Sequence, residues 1–122
     1  LTLDKKDEAK YLEMLALGSA LSSVQVLSAF QKDMPVGPVV SVMQRWYWDL
    51  MAVLSGAEPR YFPEHAEAYK RQAQGTDFQK LVPFNQTLMQ ANRSKDHPLS
   101  KRLVLQDLFI TWAKTLADAR KN

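Results

Sequence analysis

The sequence predicts an all-α protein, a compact bundle of about six helices. Apolar residues recur at spacings of three and four along most of the chain, which is the period of a helix with one buried face. No stretch alternates apolar and polar residues for long enough to predict a strand. Prolines, isolated glycines and capping side chains separate the apolar stretches and divide the chain into helical segments.

Three helices are predicted in the first half of the chain. Asp4 caps a helix over residues 5–17, because its carboxylate can accept from the unpaired N–H groups of the first turn. Apolar residues three apart predict a second helix over residues 21–32. After a proline-rich break, a long third helix begins at Pro38 and carries one apolar stripe, formed by Val40, Met43, Tyr47, Leu50 and Leu54.

Three more helices are predicted in the second half. Pro63 opens a fourth helix, and Gly75 ends it. Thr76 and Gln79 have the spacing of a capping box, which predicts that a fifth helix begins at Thr76. Ser100 caps the last helix, which extends to about residue 116.

Length and composition limit the classes of protein. A chain of 122 residues is expected to be a single domain over residues 1–122, and its first residue, leucine, indicates a piece of a longer protein. The chain contains no cysteine, which excludes disulfides and thiolate metal sites. Residues 14–31 carry no charge, but their serines and glutamine argue against a membrane span, so no membrane partner is expected. A reducing, cytoplasmic compartment is compatible with this composition.

Residues that could support catalysis are scarce. The glycines are isolated and cannot form a phosphate-binding loop. Apart from Asp96 beside His97, neither His65 nor His97 has a partner at metal-ligand spacing. We therefore expect no catalytic, cofactor or metal site, no cofactor, and no enzymatic activity of this chain. His97 is expected to cap the end of the fifth helix. Asp49 lies within an apolar helix and is expected to be a structural acid, hydrogen-bonded or ion-paired, with Arg45 as a candidate partner.

Three aromatic residues are candidates for a partner interface: Trp48, Tyr61 and Phe62. Trp48 cannot share a face with its aromatic neighbours, since adjacent helical residues are about 100° apart, and it falls on a polar strip. It either packs against a second layer of helices or contacts a partner, and internal packing is the interpretation we favour. Tyr61 and Phe62, between two prolines, leave the same alternatives open, and packing on the fold is again favoured.

The net charge of +3 comes from the C-terminal end, where five cationic side chains oppose two acidic ones from residue 98 onward. Lys101, Arg102 and Lys114 are therefore candidates for weak contacts with phosphate. A solvated helix face is the favoured interpretation, because the density of cations is below that of a dedicated nucleic-acid-binding arm and they align only partly on one face.

Three segments together resemble a known family. They are QRWYWDL at residues 44–50, RYFP at residues 60–63 and HPLSKRLVLQDL at residues 97–108. Their order and spacing resemble the C-terminal collar domain of the delta-prime subunit of bacterial DNA polymerase III clamp loaders. The resemblance extends over residues 14–116, and the second and third segments are its most specific parts.

The resemblance implies a helical collar domain without an active site. In that family, five subunits join through such domains into a ring, and attached ATPase-type modules load the sliding clamp on primed DNA. The family's arginine finger and zinc-binding cysteines belong to an N-terminal region that this chain does not contain. The implied partners are the collar domains of the delta and gamma/tau subunits, with DNA reached only indirectly through the complex. Two competing classes are a small helical nucleic-acid-binding domain that uses the basic last helix, and a small helical enzyme.

Overall fold

The computed structural model describes residues 3–94, 96 and 100–121. These residues form six α-helices, which are α1 (Lys5–Leu17), α2 (Ser23–Leu27), α3 (Val36–Leu54), α4 (Ala66–Ala73), α5 (Phe78–Arg93) and α6 (Lys101–Asp118). Two 3₁₀ turns, Gly18–Ala20 and Pro63–His65, precede α2 and α4. The predicted all-α bundle is confirmed, and the described residues contain no strand beyond an isolated bridge between Thr76 and Arg120. The expected cap at His97 lies outside the described residues.

Two of the predicted helix starts are confirmed in detail. Asp4 Oδ1 accepts from the Asp7 amide at 2.8 Å, and α1 has the predicted bounds. At α6, Ser100 Oγ accepts from the Leu103 amide at 3.3 Å. In each case the side-chain oxygen satisfies an N–H group that has no partner within its own helix.

The predicted cap of the fifth helix is wrong by one residue, and the helix begins at Phe78 rather than at Thr76. Asp77 is the cap of α5, and its carboxylate accepts from the Gln79 amide at 3.0 Å. Thr76 is buried and donates its hydroxyl back to the Gln72 carbonyl at the end of α4. Thr76 therefore closes the preceding helix, and the next residue opens the following one.

The second helix is much shorter than predicted. Ser22 and Gln25 form a capping box that starts α2 after the 3₁₀ turn, and α2 ends at Leu27. Because the segment is a turn and a short helix, apolar residues three apart do not share one face. Leu21 and Phe30 are buried, whereas Val24 and Leu27 are exposed.

The third helix begins at Val36, two residues before the predicted proline. Pro38 fits within the first turn because the first N–H groups of a helix have no internal acceptor. The helix is the centre of the bundle, and α1, α4, α5 and α6 all pack against it. Buried side chains from all six helices form one core cluster, whose largest fully buried members are Trp46, Trp112, Tyr11, Tyr69 and Phe109.

The ends of three helices meet around Gln72 and Gly18. The Gln72 amide donates to the carbonyls of Leu15 at 2.7 Å and Ala16 at 3.1 Å, which lie at the end of α1. The side-chain oxygen of Gln72, Oε1, accepts from Trp46 Nε1 at 3.1 Å. Gly18 has a φ of 56°, and a Cβ there would lie 3.0 Å from Leu116 Cδ1 and 3.1 Å from Gln72 Nε2. A glycine is required at this position by both its conformation and its neighbours.

We predict that Gly18→Ala lowers the free energy of unfolding by about 2 to 3 kcal/mol, through backbone strain and displacement of neighbouring side chains. Gly75→Ala is the matched control, because Gly75 also has a positive φ, 72°, but has nothing within 4 Å of an added Cβ. Its cost is expected to be about 1 to 2 kcal/mol, the conformational part alone. Urea denaturation of both variants measures the difference, and equal losses would show that the contacts at Gly18 carry no cost.

The buried tyrosines predict a loss of stability in alkali. Burial, followed by the charges of Asp7 and Asp4, raises the pKa of Tyr11 from 10.0 to about 12. The folded protein therefore holds the Tyr11 proton more tightly than the unfolded chain does, which contributes to the free energy of unfolding. This contribution is complete below pH 10.0 and disappears as the pH rises toward about 12. We predict that the free energy of unfolding falls over this range, and that Tyr11→Phe flattens the fall. Denaturant titrations at a series of pH values test this, and an unchanged slope in the variant would contradict it.

Candidate interaction surfaces

A buried carboxylate fixes the connector between α3 and α4. Asp49, on α3, is only 1% exposed. Its Oδ1 accepts from the amides of Arg60 at 2.8 Å and Tyr61 at 3.0 Å. Its Oδ2 accepts from the Phe62 amide at 2.7 Å and from the Tyr69 hydroxyl at 2.9 Å. Four donors from two segments therefore converge on one side chain.

The sequence explains why this connector can surround a carboxylate. Pro59 and Pro63 restrict the backbone on both sides, and the three residues between them present successive N–H groups to Asp49. Tyr69 on α4 adds the fourth donor, and burial together with its hydrogen bond to Asp49 raises the pKa of the hydroxyl. The phenol therefore keeps its proton, and its role as a donor, throughout the neutral range.

The expectation that Asp49 is a structural acid is confirmed, but the proposed partner is wrong. Arg45 does not pair with Asp49 among the described residues. Its Nε donates to the Ser41 carbonyl at 3.3 Å, and its guanidinium lies 5.3 Å from the centroid of the Phe62 ring. The backbone amides of the connector occupy the carboxylate instead, because they reach it without burying a second charge.

Trp48 and Tyr61 form an exposed aromatic pair. They are 46% and 40% exposed, and their ring centroids lie 5.9 Å apart at an interplanar angle of 42°. Arg60 extends the pair, with its guanidinium 5.8 Å from the Tyr61 ring. Trp48, Tyr61, Arg45 and Arg60 are called the aromatic surface below. Tryptophan, tyrosine and arginine are the residues most often responsible for binding energy at protein interfaces.

The three aromatic candidates from the sequence have different fates. Phe62 is 4% exposed, and its ring centroid lies 6.5 Å from that of Trp46. It packs on the fold, as expected, and is not accessible to a partner. Packing on the fold is also the favoured interpretation of Trp48 and Tyr61, and it is wrong for both, because their side chains are 46% and 40% exposed. The neighbouring Trp46 fills the core position instead and is fully buried.

The candidate phosphate contacts do not form one site. Lys101, Arg102 and Lys114 are all exposed on α6. A helix turns by about 100° and rises by about 1.5 Å per residue. Lys114 therefore lies roughly 20 Å along the axis of α6 from Lys101, and on a different face from both Lys101 and Arg102. Three cations that diverge in this way cannot converge on one phosphate group.

A second exposed surface is not predicted by the sequence. Val24 and Leu27 on α2 are 76% and 58% exposed, and Leu103 and Ile110 on α6 are 65% and 39% exposed. Gln106 joins the two helices through a hydrogen bond from its Nε2 to the Leu27 carbonyl at 3.2 Å. Val24, Leu27, Leu103 and Ile110 are called the α2–α6 surface below. The charge-free run from 14 to 31 was the available signal, but by itself it does not distinguish a buried helix from one with an exposed apolar side.

A third set of exposed apolar side chains lies on α5. Phe78, Val82 and Met89 are between 38% and 47% exposed and lie along one side of the helix. Leu81, Phe84 and Leu88 on the adjoining side are buried in the core. These three residues border the core face, and they are less exposed than Val24, Leu27 and Leu103.

A pocket of about 250 Å³ lies where the ends of α1, α4 and α6 meet. Its lining includes Gly18, Gln72, Arg71 and Arg120. Helix C-termini carry partial negative charge, and cationic side chains are stabilising near them. Arg71 lies in the last turn of α4 and Arg120 lies two residues after the end of α6, so both side chains are near helix C-termini.

No group of three potential metal-ligating side chains occurs within residues 3–94, 96 and 100–121. In the same part of the chain, every helix is too short or too polar to cross a bilayer. Comparison with protein-family models, with curated proteins and with solved structures gave no match. The family resemblance of the three segments therefore stays a prediction.

We predict that Asp49→Ala destabilises the fold by about 3 kcal/mol or more, because four donors lose their acceptor at a buried position. Tyr69→Phe removes only one of the four bonds and is expected to cost about 1 to 2 kcal/mol. Asp107→Ala, at an exposed carboxylate on α6, is the control and should change stability by less than about 0.5 kcal/mol. Urea denaturation ranks the three variants, and a loss for Asp49→Ala no larger than the control would refute the role of the carboxylate.

Proposed function

We propose that this chain is a non-catalytic assembly domain of the bacterial replicative clamp loader. It would act in the cytoplasm by joining the collar that supports loading of the sliding clamp on primed DNA. Its partners are the collar domains of the delta and gamma/tau subunits, and DNA is reached only through the complete complex. The resemblance of residues 44–50, 60–63 and 97–108 to the delta-prime collar domain is the sequence support for this proposal.

The observation that carries the proposal is the exposed pair of Trp48 and Tyr61 on a fixed backbone. An aromatic side chain loses little conformational freedom on binding when its backbone is already ordered. Here Asp49 orders the connector by accepting from the Tyr61 amide, and Trp48 is fixed on α3 as the residue that precedes Asp49. A rigid, exposed aromatic pair beside two arginines has the chemistry of an interface anchor.

Two of the three segments that resemble the family meet at this surface. Trp48 belongs to residues 44–50 and Tyr61 to residues 60–63, and their rings lie 5.9 Å apart. The first segment also supplies Asp49, and the second supplies the amides that it binds. The segments that carry the resemblance therefore supply both the hydrogen bonds that fix the connector and the two exposed rings, Trp48 and Tyr61. This supports a role in assembly.

The alternative, a nucleic-acid-binding domain, has weaker support. It requires the cations of α6 to act together on a phosphate backbone, whereas Lys101, Arg102 and Lys114 diverge around the helix. Sequence-independent binding of DNA that weakens steeply with salt would agree with scattered cations. Tight, sequence-selective binding would favour the alternative instead.

We predict that Trp48→Ala weakens association with the delta or gamma/tau collar domain by about 2 kcal/mol or more, as at an interface hot spot. Its effect on folding stability should be about 1 kcal/mol or less, since the side chain is 46% exposed. Trp46→Ala is the matched control two residues away, and it should lose about 3 to 5 kcal/mol of stability as a core truncation does. Titration calorimetry and thermal melts on both variants measure the two effects.

Absence of binding between the wild-type chain and every loader collar domain would contradict the proposed function. Binding that is unaffected by Trp48→Ala, with unchanged stability, would instead show that the aromatic surface is not the anchor.

A further inference from the structure

Helix α6, which supplies half of the α2–α6 surface, carries apolar side chains on two opposite sides. Leu105, Leu108 and Trp112 are buried on the side that faces the core. On the opposite side, Leu103 is 65% exposed and Ile110 is 39% exposed. A helix that packs on a core through one side is normally polar on the other, so apolar residues on a second side indicate a second contact.

The exposed side of α6 has a spacing of seven residues. Leu103, Ile110 and Ala117 recur at this spacing, and Asp107 and Lys114 repeat it between them. Because a helix turns by about 100° per residue, all five side chains lie within about 40° of Leu103 around the axis. These five residues are exposed and form one strip, which is called the α6 stripe below.

The other charges of α6 lie beside the stripe or behind it. Lys101 is about 160° from Leu103 around the helix, and Arg102 is about 100° from it. Asp118 lies at the edge of the stripe, one turn after Lys114, and can share the ammonium group of that residue. The stripe itself therefore has one acid and one base, separated by Ile110.

The order of residues makes the stripe complementary to a reversed copy of itself. Asp107 precedes Ile110 by three residues and Lys114 follows it by four, so the charges lie almost symmetrically about the isoleucine. In two antiparallel copies related by a two-fold axis beside Ile110, each Asp107 faces Lys114 of the other copy. A parallel pair places like charges opposite each other. The charge pattern thus favours one occupant in one orientation.

We infer that α6 forms a homodimer interface, in which the α6 stripe of a second copy of this chain packs antiparallel on the first. The two Ile110 side chains meet at the two-fold axis, and Leu103 of each copy packs on Ala117 of the other. The pair of Asp107 with Lys114 occurs twice by symmetry. The inference goes beyond the proposed function and does not depend on it, because it concerns contacts of the chain with itself.

The dimer is expected to be weak. A contact formed mainly by one helix from each copy is small, and exposed ion pairs contribute more to orientation than to affinity. We expect a dissociation constant of about 100 µM. Sedimentation equilibrium of the wild-type chain from about 10 µM to 1 mM covers this range. A wild-type chain that stays monomeric throughout would overturn the inference.

Charge reversal tests the ion pairs. Asp107→Lys alone places two bases opposite each other at both ends of the contact, and Lys114→Asp alone places two acids there. Each should weaken the dimer by at least about tenfold. The double variant restores opposite charges and should return the dissociation constant to within about threefold of wild type. Single variants that dimerise as wild type does, or a double variant that fails to recover, would overturn the antiparallel pairing.

A mixture of the two single variants provides a second test of the same pairing. Asp107→Lys has bases at both charged positions of the stripe, and Lys114→Asp has acids at both. Each should be mainly monomeric alone, and the two should form a mixed dimer that weakens as the salt concentration rises. No association on mixing would contradict the inference.

The apolar contact is tested by Leu103→Ser, which should weaken the dimer by about fivefold or more. Val82→Ser on α5 is the matched control, because Val82 is a 45% exposed apolar residue outside the stripe, and it should change the dissociation constant by less than about twofold. Trp48→Ala should also leave the dimer unchanged. Loss of the dimer in Trp48→Ala but not in Leu103→Ser would place the contact on the aromatic surface and overturn the inference.

Self-association and binding of loader collar domains are separate measurements. A wild-type chain that binds a loader collar domain but stays monomeric overturns this inference and leaves the proposed function intact. A chain that dimerises through the stripe but binds no collar domain has the reverse meaning. Binding of a collar domain that Leu103→Ser weakens, without any self-association, would identify a different occupant of the stripe and overturn the inference.

Discussion

The carboxylate of Asp49 is the interaction on which the arrangement of α3, the connector and α4 depends. A buried charge is costly unless it is fully hydrogen-bonded, and here three consecutive backbone amides and one phenol satisfy it. The amides of residues 60–62 cannot bond to one another, so the carboxylate replaces the secondary structure that the connector lacks. By binding the Tyr61 amide, the carboxylate helps to hold the Tyr61 ring next to Trp48.

The same interaction separates two adjacent aromatic residues by function. Phe62 is directed inward toward Trp46, and Tyr61 outward toward Trp48. Each ring on the connector therefore meets a tryptophan of α3, one inside the fold and one at its surface. Arg45 lies over the Phe62 ring and Arg60 beside the Tyr61 ring, so both guanidinium groups are placed by aromatic contacts. The surface proposed for assembly is thus a direct extension of the core.

Local signals predicted the parts of the fold that depend on local physics. The caps at Asp4 and Ser100 were predictable because a capping oxygen and its amide lie within one turn. The helical wheel also placed Trp48 outside the apolar stripe of α3. Errors arose where distant residues decide: Asp49 takes its donors from residues 11 to 20 positions later, and not from the arginine one turn away. The exposure of Val24 and Leu27 follows from the turn at Gly18–Ala20, which apolar spacing alone does not reveal.

The contacts of Gln72 have a consequence for the order in which the chain folds. The ring closed by Asp49 and the Arg60 amide spans 11 residues, whereas the bond from Gln72 to the Leu15 carbonyl joins residues 57 apart. Closing the longer loop costs more chain entropy, so formation of the α3–connector unit is favoured before α1 docks on α4. The nucleus that this order implies contains the residues that also present Trp48 and Tyr61. The candidate surface would then be in place while the rest of the bundle is still assembling around it.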